Sequence, residues 1–193
     1  MSIAVRNVGP VTATVTRQIL ELASGHGMAP IGPGEFAGVG DMAARLMNHT
    51  VASPETFIAV QQIQPASSLA FQEDGAITGV FGALLLRAAA VRQLMAGVFD
   101  GVDVDLELLS RGAEVPAIAY IWGIASTTKA AGSAMLAMCG ALHVGPLGPF
   151  TVVTRAVTPV GRHLSLTRYG YQPLRHPDDD MLIRRAERQE VAA

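Results

Sequence analysis

Residues 117–136 read AIAYIWGIASTTKAAGSAML, and the parsing of this stretch decides the fold. Ala117 to Ala125 is a nearly continuous apolar run of strand length, which predicts a strand buried on both faces. Ser126 to Lys129 is polar and predicts a short loop. Helical spacing follows, with Met135, Met138, Cys139 and Leu142 on one stripe that reads as core packing. The first turn of that helix holds Ala130, Ala131, Gly132, Ser133 and Ala134, all small. A helix start exposes unpaired backbone N–H groups and the positive end of the helix dipole. Small side chains there let an anion approach the backbone closely, and Lys129 adds a cation. The stretch therefore predicts a strand-to-helix turn able to cradle phosphate.

Strands and helices continue to alternate downstream. Gly145 to Pro149 breaks the helix, Phe150 to Val157 reads as a strand, and Pro159 to Tyr169 as a helix stopped by Gly170. Asp178 to Asp180 reads as a solvated turn between two strands, the last of them Met181 to Arg184. Upstream, Val15, Ile19, Leu20 and Leu22 give an opening helix its apolar face, and Gly25 and Gly27 end it. Phe36, Val39, Met42, Ala43, Leu46 and Met47 fall at helical spacing, and Ser53-Pro54-Glu55 marks a further helix start. Ser68 to Glu73 and Ala76 to Leu86 read as strands joined at Asp74-Gly75, a strong hairpin signal. Arg87 to Phe99 returns to helical spacing, and the turn-rich residues 100–116 include one short strand, Val104 to Leu109. This order predicts an α/β (α+β) domain, a mixed sheet flanked by helices. One domain spans 1–193: a helical part over 1–66, a second half over 117–185 and a charged tail over 186–193.

Composition narrows the function classes. Half the residues are hydrophobic and 16% are charged, enough apolar material for a core and too little charge for a disordered chain. Net charge is −2, so the basic surplus of a nucleic-acid binder is missing. Positive charge does gather late, from Arg155 through Arg162, Arg168 and Arg175 to Arg184, Arg185 and Arg188, either as a solvated face or as a local attraction for a phosphorylated ligand. Cys139 is the single cysteine, so no intrachain disulfide forms. The opening residues lack the apolar core and cleavage site of a secretory signal, and Gly79 to Leu86 is too short to cross a bilayer. Cytoplasm is the expected location. His26, His49, His143, His163 and His176 show no ligand spacing, so no metal site is expected.

On these residues the chain resembles the GNAT superfamily of N-acyltransferases. Those enzymes carry Arg/Gln-x-x-Gly-x-Gly/Ala between their fourth strand and the next helix, and Lys129-Ala130-Ala131-Gly132-Ser133-Ala134 is similar, with Lys in place of Arg or Gln. The resemblance implies that residues 130–134 present backbone amides to the pyrophosphate of coenzyme A, with Lys129 at the entrance. It implies that Ile124, five residues before the motif, pairs with the pantetheine arm. The stretch VTRAVTPVGRHLSLTRYGYQPL looks like the family's fifth strand, last helix and Gly-aromatic step, here Gly170-Tyr171. The acyl-coenzyme A cleft would then lie between the fourth and fifth strands. The implied activity moves an acetyl or short acyl group from coenzyme A to an amine of a small molecule or peptide, with acetyl-coenzyme A or another acyl-coenzyme A as donor. A homodimer is compatible with this reading.

The chain departs from the family at the proton donor. The Tyr that many members place four residues before the final Gly is Leu166 here, and the Asn seven residues earlier is Pro159. Tyr169 is the nearest phenol. For a base, Asp103, Asp105 and Glu107 could share one face of the short strand read at 104–109, with a solvated turn as the plainer alternative. Glu73, in the hairpin, has the same plainer alternative. Trp122 either lines an acceptor pocket or packs in the core. Two other functions stay open: a non-catalytic acyl-coenzyme A-binding or regulatory protein, favoured by Leu166 and Pro159, and a diverged synthase of the acyl-homoserine lactone kind.

Overall fold

The computed structural model describes residues 10–186; residues 187–193 of the charged tail and the opening residues 1–9 lie outside them. The chain begins with α1 (Thr12–Gly25), a short strand β1 (Met28–Pro30), α2 (Phe36–Met47) and α3 (Pro54–Ile63). The hairpin β2 (Ser68–Glu73) and β3 (Ala76–Leu86) leads to α4 (Ala88–Ala96). Next come β4 (Ile118–Ser126), α5 (Lys129–Val144), β5 (Val152–Arg155), α6 (Pro159–Arg168), β6 (Gln172–Pro173) and β7 (Met181–Arg184). No helix among the described residues is long and apolar enough to cross a membrane.

The helix starts follow from local chemistry. Pro54 and Pro159 each occupy the first turn, where their missing N–H costs nothing, and Ser53 and Thr158 cap α3 and α6 through Thr56 N and Gly161 N. The α1 start has no side-chain cap. Its Thr12 and Ala13 amides bond instead to the carbonyls of Glu114 and Gly112 at 2.8 and 2.9 Å, which docks the helix on the segment after α4.

All strands join one seven-stranded sheet in the order β1-β2-β3-β4-β5-β7-β6. Every pairing is antiparallel except β4 with β5. Asp74 and Gly75 both have positive φ, 52° and 78°, the requirement of a tight two-residue hairpin turn. On one face α1 and α5 cover a core around Ile19, Leu69, Phe81, Met135 and Leu142. The other face carries two clusters. One gathers under α4 around Leu84, Leu94, Leu109 and Ile118; the other gathers under α2 around Phe36, Val39 and Ala125.

Several sequence expectations are corrected here. The strand read at Val104 to Leu109 is a single 3-10 turn, Leu106–Leu108, and only Leu109 bridges to Leu86. Asp105 accepts from Glu107 N at 2.9 Å, and Arg87 and Arg111 donate to the carbonyls of Glu107 and Leu106. These local bonds satisfy the backbone without a ladder. The Asp178–Asp180 turn is not wholly solvated: Asp179 is buried and binds the Arg175 guanidinium through both oxygens, at 2.7 and 2.9 Å. The strand read at 150–157 is shorter, and the helix read at 87–99 stops at Gly97, which adopts positive φ. The N-terminal part contributes a strand, β1, as well as helices, and the strand expected after Gly170-Tyr171 is only the two residues of β6, Gln172–Pro173.

Where β2 begins, β3 would lose its partner on that side. Ser67 O accepts from Ala83 N at 3.0 Å, and the buried Gln64 side chain bonds Leu85 N and Leu85 O at 2.9 and 2.6 Å. One amide side chain thus completes the ladder that the missing strand would have made.

The α5 start lies tight against β3 because Gly79 has no side chain. A Cβ there would stand 2.6 Å from Met135 Cε and 2.9 Å from Ala131 Cβ. Gly79→Ala should therefore lower unfolding stability by ~1–3 kcal/mol through overpacking, measured by chemical denaturation. An unchanged midpoint would contradict this packing.

Candidate active site

The β3–β4 register jumps from Gly82↔Gly123 to Ala83↔Ile121, leaving Trp122 as an extra residue. Such a bulge bends its strand and increases its twist. The consequence appears on the other edge of β4. Its parallel ladder with β5 covers only Ala119↔Val152, Tyr120↔Val153 and Ile121↔Thr154, and stops where the bulge begins. Beyond it β4 continues to Ser126 beside β3, while β5 ends at Arg155 and the chain turns into α6. A cavity of about 510 Å³ opens along this divergence.

The two sides of the cavity differ in origin. Ile124 and Ser126 of β4, Met135 and Leu136 of α5 and Leu164 and Ser165 of α6 form one wall. Val39, Ala43 and Met47 of α2, with Phe57 and Trp122, form the other. Trp122 is held there by donating Nε1–H to Gly101 O at 2.6 Å and by packing against Phe57 with ring centroids 4.6 Å apart. Of its two sequence readings, core or pocket wall, it satisfies both.

At the end of the cavity stands the α5 start. Thr128 caps the helix, its hydroxyl accepting from Ala131 N at 3.1 Å, and Gly132 N already bonds Thr128 O at 3.0 Å. The Ala131 and Gly132 amides are therefore spoken for, and the open ones are at the beginning of the stretch read from the sequence. Among the described residues, the Lys129 and Ala130 amides have no acceptor, and both residues are exposed. Gly132 and Ile124 line the cavity; Lys129, Ala130, Ser133 and Ala134 do not, and Ala131 is fully buried. A Cβ on Gly132 would stand 3.1 Å from Ser126 Oγ, so glycine keeps this corner open.

Glu73 reaches the same place from the hairpin. Its Oε2 accepts from Thr128 Oγ1 at 2.5 Å and from Thr78 Oγ1 at 2.7 Å. These hydrogen bonds, Thr128's first, hold its carboxyl below the usual carboxylate range. The helix start thus already has a negative neighbour. Glu73 was read in the hairpin as a candidate base or a solvated residue; its contact with Thr128 spans two elements and has no local signal in the sequence.

The proton-transfer candidates are distributed differently from the sequence reading. Leu166 packs against the α5-side core and does not line the cavity, whereas its neighbours Leu164 and Ser165 do. Tyr169 lines it, but its hydroxyl donates to Leu136 O at 2.9 Å and burial pushes its pKa to about 12. Glu107 lies outside, exposed and paired with Arg87 and Arg111 at 3.6 and 3.3 Å. No Asp or Glu is among the described residues that line the cavity. Its charged or basic side chains are Arg155 and His49. Arg155 sits 3.5 Å from Asp180.

A buried polar cluster closes the floor. His143 Nδ1–H donates to Cys139 O at 2.6 Å, which leaves Nε2 to accept from Tyr171 OH at 2.7 Å. Cys139 is a buried thiol whose pKa burial raises to about 12, so it behaves as core. No cluster of three or more His, Cys, Asp or Glu able to hold a metal ion occurs among the described residues.

This architecture is that of the GNAT acyltransferase fold: a mixed sheet in which β4 and β5 part company beside the start of α5. A candidate acetyltransferase of Staphylococcus aureus Mu50 superposes with a TM-score of 0.50 at 11% identity, over 83% of this chain and 99% of that one. Two further solved structures match less well. A histone acetyltransferase HPA2 and related acetyltransferase of Corynebacterium glutamicum gives a TM-score of 0.45 at 17% identity, over 81% of this chain and 92% of that one. A GNAT-like decarboxylase, GphF, in complex with isobutyryl-coenzyme A gives 0.41 at 15% identity, over 66% and 64%. The likeness is one of fold. No protein-family model and no curated protein matches the chain by sequence.

The floor cluster yields a pH prediction. Burial lowers the His143 pKa from its ordinary 6.5, so the folded state keeps the ring neutral. Below about pH 6.5 the unfolded chain takes up a proton that the fold refuses, and stability falls as pH drops. Between pH 7 and pH 5, the wild type should lose stability relative to His143→Gln. Parallel pH dependences of the two denaturation curves would contradict the assignment.

Proposed function

We propose that this protein is an acyltransferase that takes an acetyl or other short acyl group from coenzyme A and delivers it to an amine of a small molecule or peptide. The observation that carries the reading is the bulge-driven parting of β4 from β5. It leaves one edge of β4 past Ile121 without a strand partner, beside a helix start with open amides. Extended amide-bearing ligands add to such edges by backbone hydrogen bonding. The pantetheine arm would pair along Trp122 to Ile124, and the diphosphate would meet the Lys129 and Ala130 amides and the Lys129 ammonium. Residues 130–134 fit in part: Gly132 allows the approach, while Ala131 is already capped.

In this arrangement the thioester lies at the bulge and the amine approaches from the α2 wall. Positioning supplies much of the rate, since intramolecular alignment of reacting groups is worth up to ~7–11 kcal/mol. The amine nitrogen attacks the carbonyl carbon, the C–S bond breaks and the thiolate departs. With Leu166 in the core, the departing sulfur takes its proton from solvent. A thiol with a pKa of about 8.5 is a good enough leaving group for that. Location in the cytoplasm, where acyl-coenzyme A is made and used, accords with this function.

A second reading, an acyl-coenzyme A-binding protein without turnover, is favoured by the same Leu166 and by a cavity without carboxylates.

Calorimetry with acetyl-coenzyme A tests the proposal. Saturable binding is expected, weakened at least about tenfold by Gly132→Val, which fills the corner facing Ser126 (about 1.4 kcal/mol). No binding at millimolar ligand would overturn it. Binding without thioester consumption across an amine panel would select the second reading. Glu73→Gln, which removes the negative charge beside the helix start, should tighten binding severalfold; weaker binding would show that Glu73 supports the ligand instead of opposing it.

A further inference from the structure

We infer that His49 is the base that takes the proton from the attacking amine, an inference that rests on the acyltransfer reading above. His49 follows α2, whose C-cap, Asn48, turns the chain with φ of 48°. That turn brings an exposed imidazole to the cavity on its α2 side. The end of α2 lies over the bulge: Met47 Cε is 4.0 Å from where a Cβ on Gly123 would be. One ring nitrogen of His49 is engaged. Nδ1 is 2.8 Å from the carbonyl oxygen of Thr50, and a carbonyl only accepts, so Nδ1 carries the hydrogen and Nε2 carries the lone pair. An imidazole that donates through Nδ1 keeps Nε2 as its proton acceptor.

The alternatives are removed by placement. No described Asp or Glu lines the cavity. Tyr169 and Tyr171 spend their hydroxyl hydrogens on Leu136 O and His143 Nε2. His143 Nε2 is used by Tyr171, and Cys139 is buried. The charged residues on the helix that leads to His49 are Asp41 and Arg45, and Arg155, which lines the same cavity, is paired with Asp180. The step balances simply. As the C–N bond forms, the ammonium proton passes to His49 Nε2 and on to solvent. The C–S bond breaks with its electron pair on sulfur, which a proton from water neutralises. Amine and thioester become amide and thiol.

Two measurements test this. Ring ¹⁵N spectra of the unliganded protein at neutral pH should show His49 Nε2 as the unprotonated nitrogen; a lone pair on Nδ1 would overturn the inference. Aminolysis of acetyl-coenzyme A by a series of apolar primary amines, benzylamine and butylamine among them, is then followed by thiol release. His49→Gln should lose about 10²-fold in kcat, with acetyl-coenzyme A binding unchanged by calorimetry; added imidazole should restore part of the rate to His49→Ala. A variant with wild-type rate, or a wild type that binds the donor yet acylates no amine, would overturn the role of His49. A wild type that binds no donor overturns the acyltransfer reading beneath it.

Discussion

Trp122 is one residue too many for the β3–β4 ladder, and the rest of the site depends on that surplus. The bulge needs a gap opposite it, which Gly82 supplies: a Cβ at Gly82 would stand 3.3 Å from Trp122 Cβ and 3.4 Å from Ser67 O. Gly123, beside Trp122, is less crowded: a Cβ there would meet only Met47 Cε, at 4.0 Å. The displaced indole is then anchored to Gly101 O and Phe57. Because a strand twists more strongly past a bulge, β4 cannot hold β5 beyond Ile121, and a cavity forms inside what would otherwise be continuous sheet.

Much of this was legible in the sequence. The apolar run 117–125, the small residues after Lys129, the Asp74-Gly75 turn and the helix starts at Pro54 and Pro159 each have a local cause, and each stands where it was read. The bulge was not legible, since an apolar run has the same composition with or without an extra residue. Two strands, β1 and β6, are too short to show a period of two. The segment 104–109 alternates like a strand, yet Asp105, Arg87 and Arg111 satisfy its backbone locally.

The site was less legible than the fold because its chemistry is made by distant residues meeting. Glu73 and Thr128 touch although they are 55 positions apart, and of the carboxylates sought between 103 and 107, Glu107 turns to arginines and Asp105 to the amide of Glu107, outside the cavity. His49 shows no spacing motif; it reaches the cavity through the turn that ends α2. The resulting cavity is mostly apolar, with carboxylate charge kept to the far end by the helix start. An amine would reach the bulge without meeting an acidic residue that holds it protonated, and that is consistent with attack by a neutral nucleophile.

Hydrogen–deuterium exchange with and without acetyl-coenzyme A tests most directly whether the donor lies along the parted strand. The account predicts new protection in Trp122 to Ser126 and in Lys129 to Gly132, with α4 and the β6–β7 pair unchanged. Protection confined to other segments, with β4 beyond Ile121 exchanging as before, would contradict it.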